Sequence, residues 1–316
     1  MPRYRPVDAL QSPRFAGIRT FARLPQVTDS AGVDVAFVGV PFDTGATYRV
    51  GARFGPAAIR EASALLRTYN PVLDVDVYEH VSAVDFGDLP VAPGFIEDSY
   101  QRIVEGLTPI VQAGVVPILL GGDHSVTLAH LRAMAARHGP VALVQFDSHS
   151  DLWNEYWGHR YTHGTPFRRA IEEGLLDVGR SSQVGLRGSL YGRDDVTVGR
   201  DLGLQVFTMP EVREIGLDTV LDAVKQRASR GPVFLTFDID FIDPAYAPGT
   251  GTPEVGGPTT AEALQCVRSL AGLSFVGFDV VEVLPTYDGP GQITALAAAN
   301  VAFEMLSLVA LERKHG

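Results

Sequence analysis

The sequence predicts an α/β fold in which a largely parallel sheet is covered by helices on both faces. Three observations carry that expectation. Short apolar runs alternate with helical stretches along nearly the whole chain. Several runs, such as 115–120 and 141–146, are apolar at almost every position, the pattern of strands buried on both sides. Polar clusters fall where these runs end, and in open α/β sheets ligands gather beyond the carboxyl ends of the strands.

Residues 1–30 carry scattered Pro and Arg with weak periodicity, and read as an N-terminal arm lying on the surface or on a neighbouring subunit. Residues 31–316 contain no linker, repeat or low-complexity tract and read as one domain. The first strand is expected at 33–40. A loop at 41–56 follows, rich in Gly, with Arg49 and Arg53 suited to a carboxylate. Pro56 opens a helix at 57–67, where its missing N–H costs nothing. A strand at 83–86 precedes a helix at 96–113 with Ile103, Leu107, Ile110 and Val111 on one face.

The strand 115–120 ends at Gly121-Gly122-Asp123-His124-Ser125 before a helix at 126–137. The strand 141–146 runs out into Asp147-Ser148-His149-Ser150-Asp151. A loop at 152–162, rich in Trp and Tyr, leads to His163-Gly164-Thr165-Pro166-Phe167 and a helix at 168–174. Strands at 182–188 and 204–208 come with helices at 194–202 and 217–229. The strand 233–237 ends at Asp238-Ile239-Asp240-Phe241-Ile242-Asp243-Pro244. After a glycine-rich loop, a helix starts beyond Thr259. The last strand, 275–280, ends at Val281-Glu282-Val283, and a long helix begins at about Thr294.

A formal charge of −11 argues against nonspecific nucleic-acid binding and is compatible with a small cationic substrate or simply a solvated acidic surface. The single cysteine, Cys266, excludes an internal disulfide, fits a reducing cytoplasm, and lies in a helical pattern that suggests buried packing. No apolar h-region follows Met1, and no apolar run reads as long enough to span a bilayer, so no membrane partner is expected.

In extended chain, alternate side chains share a face, so Asp147, His149 and Asp151 can converge. Carboxylates mixed with imidazole suit Mn, Fe, Ni or Zn better than Mg or Ca. His124 from one strand end, and Asp238 and Asp240 from another, add three more candidates. Six ligands exceed the need of one ion and fit two ions sharing bridging carboxylates. Four aspartates cancel the charge of two divalent ions, so the centre would tolerate a cationic substrate. The alternative, unrelated turns that merely solvate strand ends, leaves their common placement unexplained.

These three motifs, in this order, resemble the ureohydrolase (arginase/agmatinase) family over about residues 30–310. Tyr161-Thr162-His163-Gly164-Thr165-Pro166-Phe167-Arg168-Arg169-Ala170 and Ala247-Pro248-Gly249-Thr250-Gly251-Thr252-Pro253-Glu254 resemble its agmatinase branch, which also holds guanidinobutyrases, guanidinopropionases and proclavaminate amidinohydrolase. The resemblance implies a three-layer αβα sandwich with an eight-stranded, mainly parallel sheet, assembled as trimers or hexamers. It implies two Mn2+ per subunit, with Ni, Co or Fe as alternatives. His124, Asp147, Asp151 and Asp238 would hold one ion, and Asp147, His149, Asp238 and Asp240 the other.

The implied substrate is a small linear guanidino compound: agmatine first, cleaved to urea and putrescine, with guanidinobutyrate or guanidinopropionate as the alternative. Two other readings are a one-zinc amidohydrolase or deacetylase on a related fold, against which His124 and the Asp238/Asp240 pair speak, and a noncatalytic subunit of a mixed oligomer. Glu282 would pair with the guanidinium, His163 would transfer protons, and Asp151 would relay them. Substrate contacts are expected from Asn154 and Tyr161 in one loop and Arg49 in another. Glu155 or Asp43 would meet an amine tail; Arg49, Arg53 or Arg160 would meet a carboxylate. Three departures from the family pattern stand out. Ser148 replaces the usual Ala and is expected to point away from the ligands, Val50 replaces Pro and is expected to loosen its loop, and Leu284 replaces a small residue and is expected to narrow the floor of the site.

Overall fold

A computed structural model describes residues 2–315. In chain order its strands are β1 (Val35–Gly39), β2 (Tyr69–Asn70), β3 (Val75–Asp76), β4 (Ala83–Asp88) and β5 (Val116–Leu120). They continue as β6 (Ala142–Phe146), β7 (Ser182–Leu186), β8 (Gln205–Thr208), β9 (Val233–Asp238) and β10 (Phe275–Val281). The helices are α1 (Gly55–Ser63), α2 (Val77–His80), α3 (Ile96–Gln112), α4 (Val126–His138) and α5 (Pro166–Glu172). After these come α6 (Asp194–Asp201), α7 (Met209–Ile215), α8 (Leu217–Ala228), α9 (Thr260–Ser269) and α10 (Ile293–His315).

Eight strands form one sheet in the order β4-β1-β5-β10-β9-β6-β7-β8, and every neighbouring pair is parallel. The small β2–β3 pair is antiparallel and separate. Strand alternation sorts the apolar side chains into two cores, one on each face. Phe37, Ile118, Val144, Leu235 and Phe278 pack on one side with residues of α8, α9 and α10. Ala36, Val38, Leu119, Leu143 and Phe234 pack on the other with residues of α3 and α4. Helix, sheet and helix thus make three layers.

The chain does not lay its strands down in spatial order. It runs outward through β6, β7 and β8, then returns to insert β9 and β10 between β6 and β5. The four central strands β5, β10, β9 and β6 therefore sit side by side although their loops are far apart in sequence. Ligand-bearing loops at such a reversal open into a common crevice.

Local signals explain most boundaries. Pro56 lies in the first turn of α1. Thr259 and Glu262 form a reciprocal capping box at the start of α9. The same device, Thr208 with Glu211, starts α7, a helix the periodicity did not announce because it is only 7 residues long. Helix α1 stops at Ser63, short of the expected 67; the chain then turns into the β2–β3 pair. Cys266 is fully buried in α9.

Two expectations need correction. Helix α10 is long and apolar enough to cross a bilayer, contrary to the reading of the sequence, but 83% of its apolar window is buried within the fold. It packs on α1, α9 and β10 as the central helix of its layer. The N-terminal segment is not wholly superficial either. Val7, Leu10, Phe15 and Ile18 are exposed, yet Phe21 is fully buried and stacks on Phe37 at 3.8 Å between ring centroids.

Arg60 of α1 ties this segment to the sheet edge. It forms ion pairs with Asp85 (2.8 Å) and Asp88 (2.5 Å), and Asp85 also accepts the Phe21 backbone N–H at 2.7 Å. Removing one partner of a buried pair leaves an uncompensated charge, typically costing 3–5 kcal/mol, whereas an exposed pair contributes about 0–1 kcal/mol. Arg60→Ala is therefore expected to lower the urea midpoint of unfolding strongly. Arg160→Ala, which breaks an exposed pair with Glu172, should barely move it; equal shifts would contradict the assignment.

Candidate metal centre

The loops after β5, β6, β9 and β10 bring their polar residues to one place. The approach needs glycine. A Cβ on Gly122 would lie 1.7 Å from the backbone oxygen of Phe42, and one on Gly121 would lie 2.6 Å from Val281 Cγ1. With glycine at both positions, Asp123 N–H donates to Phe42 O at 2.8 Å and Glu282 N–H donates to Gly122 O at 2.9 Å. Asp151 and Glu282 themselves adopt left-handed backbone, with φ of 51° and 61°. Such strain costs on the order of 1–3 kcal/mol per residue and concentrates at functional sites.

Around His124 Nδ1 lie one oxygen each of Asp151 (2.9 Å), Asp147 (3.1 Å) and Asp238 (3.2 Å). Around His149 Nδ1 lie Asp240 Oδ2 (3.0 Å) and Asp147 Oδ1 (3.7 Å). His124, Asp147 and Asp151 form one candidate metal-binding group, and Asp147, His149 and Asp240 form a second. Asp147 belongs to both, presenting Oδ2 to one imidazole and Oδ1 to the other. The structure thus brings together all six side chains singled out as ligands.

Electrostatics show a cluster short of positive charge. Burial raises the Asp151 carboxyl, and the Asp147 charge adds to that, taking it to about 6. Asp238 is pushed well above the usual carboxylate range by burial, then by Asp240 and Asp147. Burial opposes charge on His124, but Asp147, Asp151 and Asp238 outweigh it and raise its pKa well above the ordinary value. His149 shifts the same way, with Asp240 and Asp147 outweighing burial. Burial would also raise Asp147, yet the two imidazoles hold it far below normal.

The donors fit metal ions. His124 Nδ1 and Asp240 Oδ2 are buried without a hydrogen-bond partner among the described residues, a costly state unless something binds them. Three carboxylate oxygens within 2.9–3.2 Å of His124 Nδ1 are close enough to share one ion with it.

A further layer orients the ligands. His124 Nε2 is 2.8 Å from Thr236 Oγ1; in the tautomer that donates from Nε2 to this hydroxyl, Nδ1 keeps its lone pair for the centre. Gln145 Nε2 donates to Asp147 Oδ2 at 2.7 Å, and Gln183 Nε2 donates to Gln145 Oε1 at 2.6 Å. Gln145 pairs in register with Gln183 on β7 and with Thr236 on β9, and Thr236 pairs with Asp279 on β10. Thr236 and Gln145 escaped sequence reading, although a polar residue inside an apolar strand, two positions before a ligand, is the available signal.

Ser148 also departs from expectation. Its hydroxyl does not point away; it donates to Asp240 Oδ1 at 2.7 Å. Leu284 is fully buried and is not among the residues lining the cleft. Val50 is 55% exposed at the loop surface.

His163 and Glu282 face each other beside this cluster. His163 Nδ1 is 2.9 Å from Glu282 Oε1, which also accepts the His124 backbone N–H at 3.0 Å. Glu282 Oε2 is buried and unpartnered. The Thr47 backbone N–H donates to His163 Nε2 at 3.1 Å, so the ring proton sits on Nδ1. Burial opposes charge on this ring, but Glu282, Asp151 and Asp123 outweigh it and push its pKa up to about 9. The two tendencies conflict, and the hydrogen-bond geometry describes the ring as it stands: a second proton at Nε2 requires the Thr47 amide contact to break.

The cluster opens into a cleft of about 1190 Å³, lined by His149, Asp151, His163, Arg49, Glu155 and the rings of Trp153 and Tyr156, among others. Of the expected substrate residues, His163 and Arg49 line the cleft, Glu282 lies buried behind His163, and Asn154 and Tyr161 are not placed there. Asn154 Oδ1 accepts from Arg169 at 3.0 Å, and Tyr161 stacks edge-on against Tyr100. Asp43 and Arg53 pair with each other, and Arg160 pairs with Glu172. Loop residues between two strands need not share a face, so proximity in sequence did not transfer to the cleft.

A three-layer sandwich with a two-part Asp/His centre at its sheet reversal defines a metal-dependent hydrolase. The chain belongs to the arginase family, whose model matches residues 33–307. It is 48% identical over 307 residues to guanidinopropionase from Pseudomonas aeruginosa, spanning 97% of this chain and 96% of that protein. It is 46% identical over 296 residues to a mitochondrial agmatinase from Gallus gallus, spanning 94% of this chain and 87% of that protein. Proclavaminate amidinohydrolase from Streptomyces clavuligerus superposes with a TM-score of 0.89 at 40% identity, over 95% of this chain and 99% of that one. The chain is accordingly a ureohydrolase acting on guanidino compounds, in a family that depends on a binuclear metal centre.

Because Asp147 alone presents an oxygen to each imidazole, Asp147→Ala is expected to lose both ions, and His149→Ala only one. Elemental analysis of the purified variants checks this. Two ions retained by Asp147→Ala would contradict the shared role.

Proposed function

We propose that this ureohydrolase cleaves a linear guanidino acid to urea and an amino acid, with two manganese ions per chain. The observation that carries the substrate reading is Arg49. Its guanidinium lies 4.8 Å from the ring centroid of Tyr287 and 5.6 Å from that of Tyr48, lines the cleft, and has no acidic partner among the described residues. A cation held by aromatic faces at the mouth of a site suits a carboxylate tail, by charge-assisted hydrogen bonds. The same cation repels the terminal ammonium of agmatine.

Agmatine, the first choice on sequence, becomes the second reading, resting on Glu155. That residue also lines the cleft but is exposed, where solvent and salt screen it. The relatives' names include both a guanidinopropionase and an agmatinase, so the proposal rests on the cleft residues of this chain. Manganese rests on the oxygen-rich donor set.

Chemistry follows from the geometry. A guanidinium is resonance-stabilised and resists attack. Ions held by His124, Asp147, His149, Asp151, Asp238 and Asp240 supply, when bound, water acidified from about 15.7 toward neutrality. Glu282 would be the acceptor for the guanidinium: Oε1 is fixed by two donors, and Oε2, buried without a partner just behind His163, is the oxygen that would take a substrate N–H. His163 stands at the cleft wall, held by Glu282 and Thr47; once the Thr47 amide contact opens, Nε2 can take up a second proton and pass it to the departing amine. Asp151, which lines the cleft, would relay the remaining proton of the attacking water.

The test is urea release from agmatine, arginine, 4-guanidinobutyrate and 3-guanidinopropionate with Mn supplied. A guanidino acid is expected to give the highest kcat/KM, and Arg49→Gln to lower that value roughly tenfold to a hundredfold, about 1.5–3 kcal/mol, while leaving agmatine turnover unreduced. Agmatine as the best substrate of the unmodified enzyme would overturn the tail assignment. His163→Ala should keep its metal and lose at least about a hundredfold in turnover; an undiminished rate would remove it from the mechanism.

A further inference from the structure

Ser148 sits between two ligands and is 1% exposed. Its backbone N–H donates to Asp240 Oδ1 at 3.1 Å, and its hydroxyl donates to the same oxygen at 2.7 Å. Both hydrogens that Ser148 can offer are thus spent on one carboxylate oxygen. The other oxygen, Asp240 Oδ2, is buried, unpartnered, and 3.0 Å from His149 Nδ1. Ser148 Oγ also lies 3.1 Å from His149 Nδ1, so one hydroxyl abuts both side chains that serve only the second half of the centre.

We infer that Ser148 is a positioning residue for the ion that His149 and Asp240 would hold, fixing the orientation of the Asp240 carboxylate through its two bonds to Oδ1. This inference rests on the two-ion reading above. Two effects of the hydroxyl oppose each other. Donation to Oδ1 withdraws charge from the carboxylate and weakens it as a ligand. The same bond locks the carboxylate plane and removes the cost of ordering it on binding. Orientation dominates here, because the backbone N–H already draws on Oδ1 with or without the hydroxyl, whereas two donors, not one, fix the rotation of the group. Partners of this kind typically change metal affinity 10–100-fold when removed. The His124 half is held by other groups, Thr236 and Gln145, and does not depend on Ser148.

Ser148→Ala should fold normally, since it deletes only the hydroxyl and leaves the Asp240 carboxylate its amide donor. Metal-free wild type and variant are titrated with Mn2+ against a competing chelator, and two binding constants are fitted for each. The expected result is that one constant weakens about tenfold and the other stays within about twofold. Two unchanged constants, or two that fall together, would overturn the positioning role. A wild type that binds a single ion would overturn the two-ion reading, and the inference with it.

Discussion

The structure depends on the Asp147 carboxylate, which is buried between two imidazoles and offers one oxygen to each. Neither half of the cluster is complete without it. Its buried charge lies beside three further aspartates, an arrangement that low dielectric makes expensive without cations. The raised carboxyls of Asp151 and Asp238 and the raised imidazoles of His124 and His149 are the same shortage of positive charge seen from each member. Two divalent ions would relieve all of these at once, which is why the polar cluster can sit in the core.

The sheet makes that convergence possible. Returning β9 and β10 between β5 and β6 sets the three ligand-bearing loops and the loop that carries Glu282 beside one another. Directly beneath the ligands, Gln183, Gln145, Thr236 and Asp279 form a row of polar residues across four neighbouring strands. Gln145 and Thr236 reach up from it to Asp147 and His124. A rigid parallel sheet thereby holds the ligands through its backbone and through a second layer of hydrogen bonds. The loop around Thr47 does the same for His163: Gly45 N–H donates to Asp123 Oδ2, and Gly45 O accepts the His163 backbone N–H.

Much of this was legible in the residues. Apolar runs located all eight sheet strands to within a few residues, and the Asp-x-His-x-Asp and Asp-x-Asp spacings singled out six side chains that the fold brings together. What the sequence concealed depended on which way side chains turn. Asn154 and Tyr161 lie in the expected loop but face Arg169 and Tyr100. Ser148 lies between ligands on an irregular turn, where strict alternation no longer applies, and its hydroxyl meets Asp240 from the adjacent strand end. Asp43 and Arg53, each a candidate for substrate, satisfy one another. Helix α10 reads as apolar all round because it is enclosed, a fact its composition alone cannot distinguish from a membrane span.

The central claim is that one carboxylate joins two metal sites. Anomalous diffraction at the manganese edge from a crystal of the Mn-loaded protein tests it most directly. The account predicts two peaks, one beside His124 and one beside His149, with an Asp147 oxygen in contact with each. A single peak, or two peaks that Asp147 does not link, would contradict it.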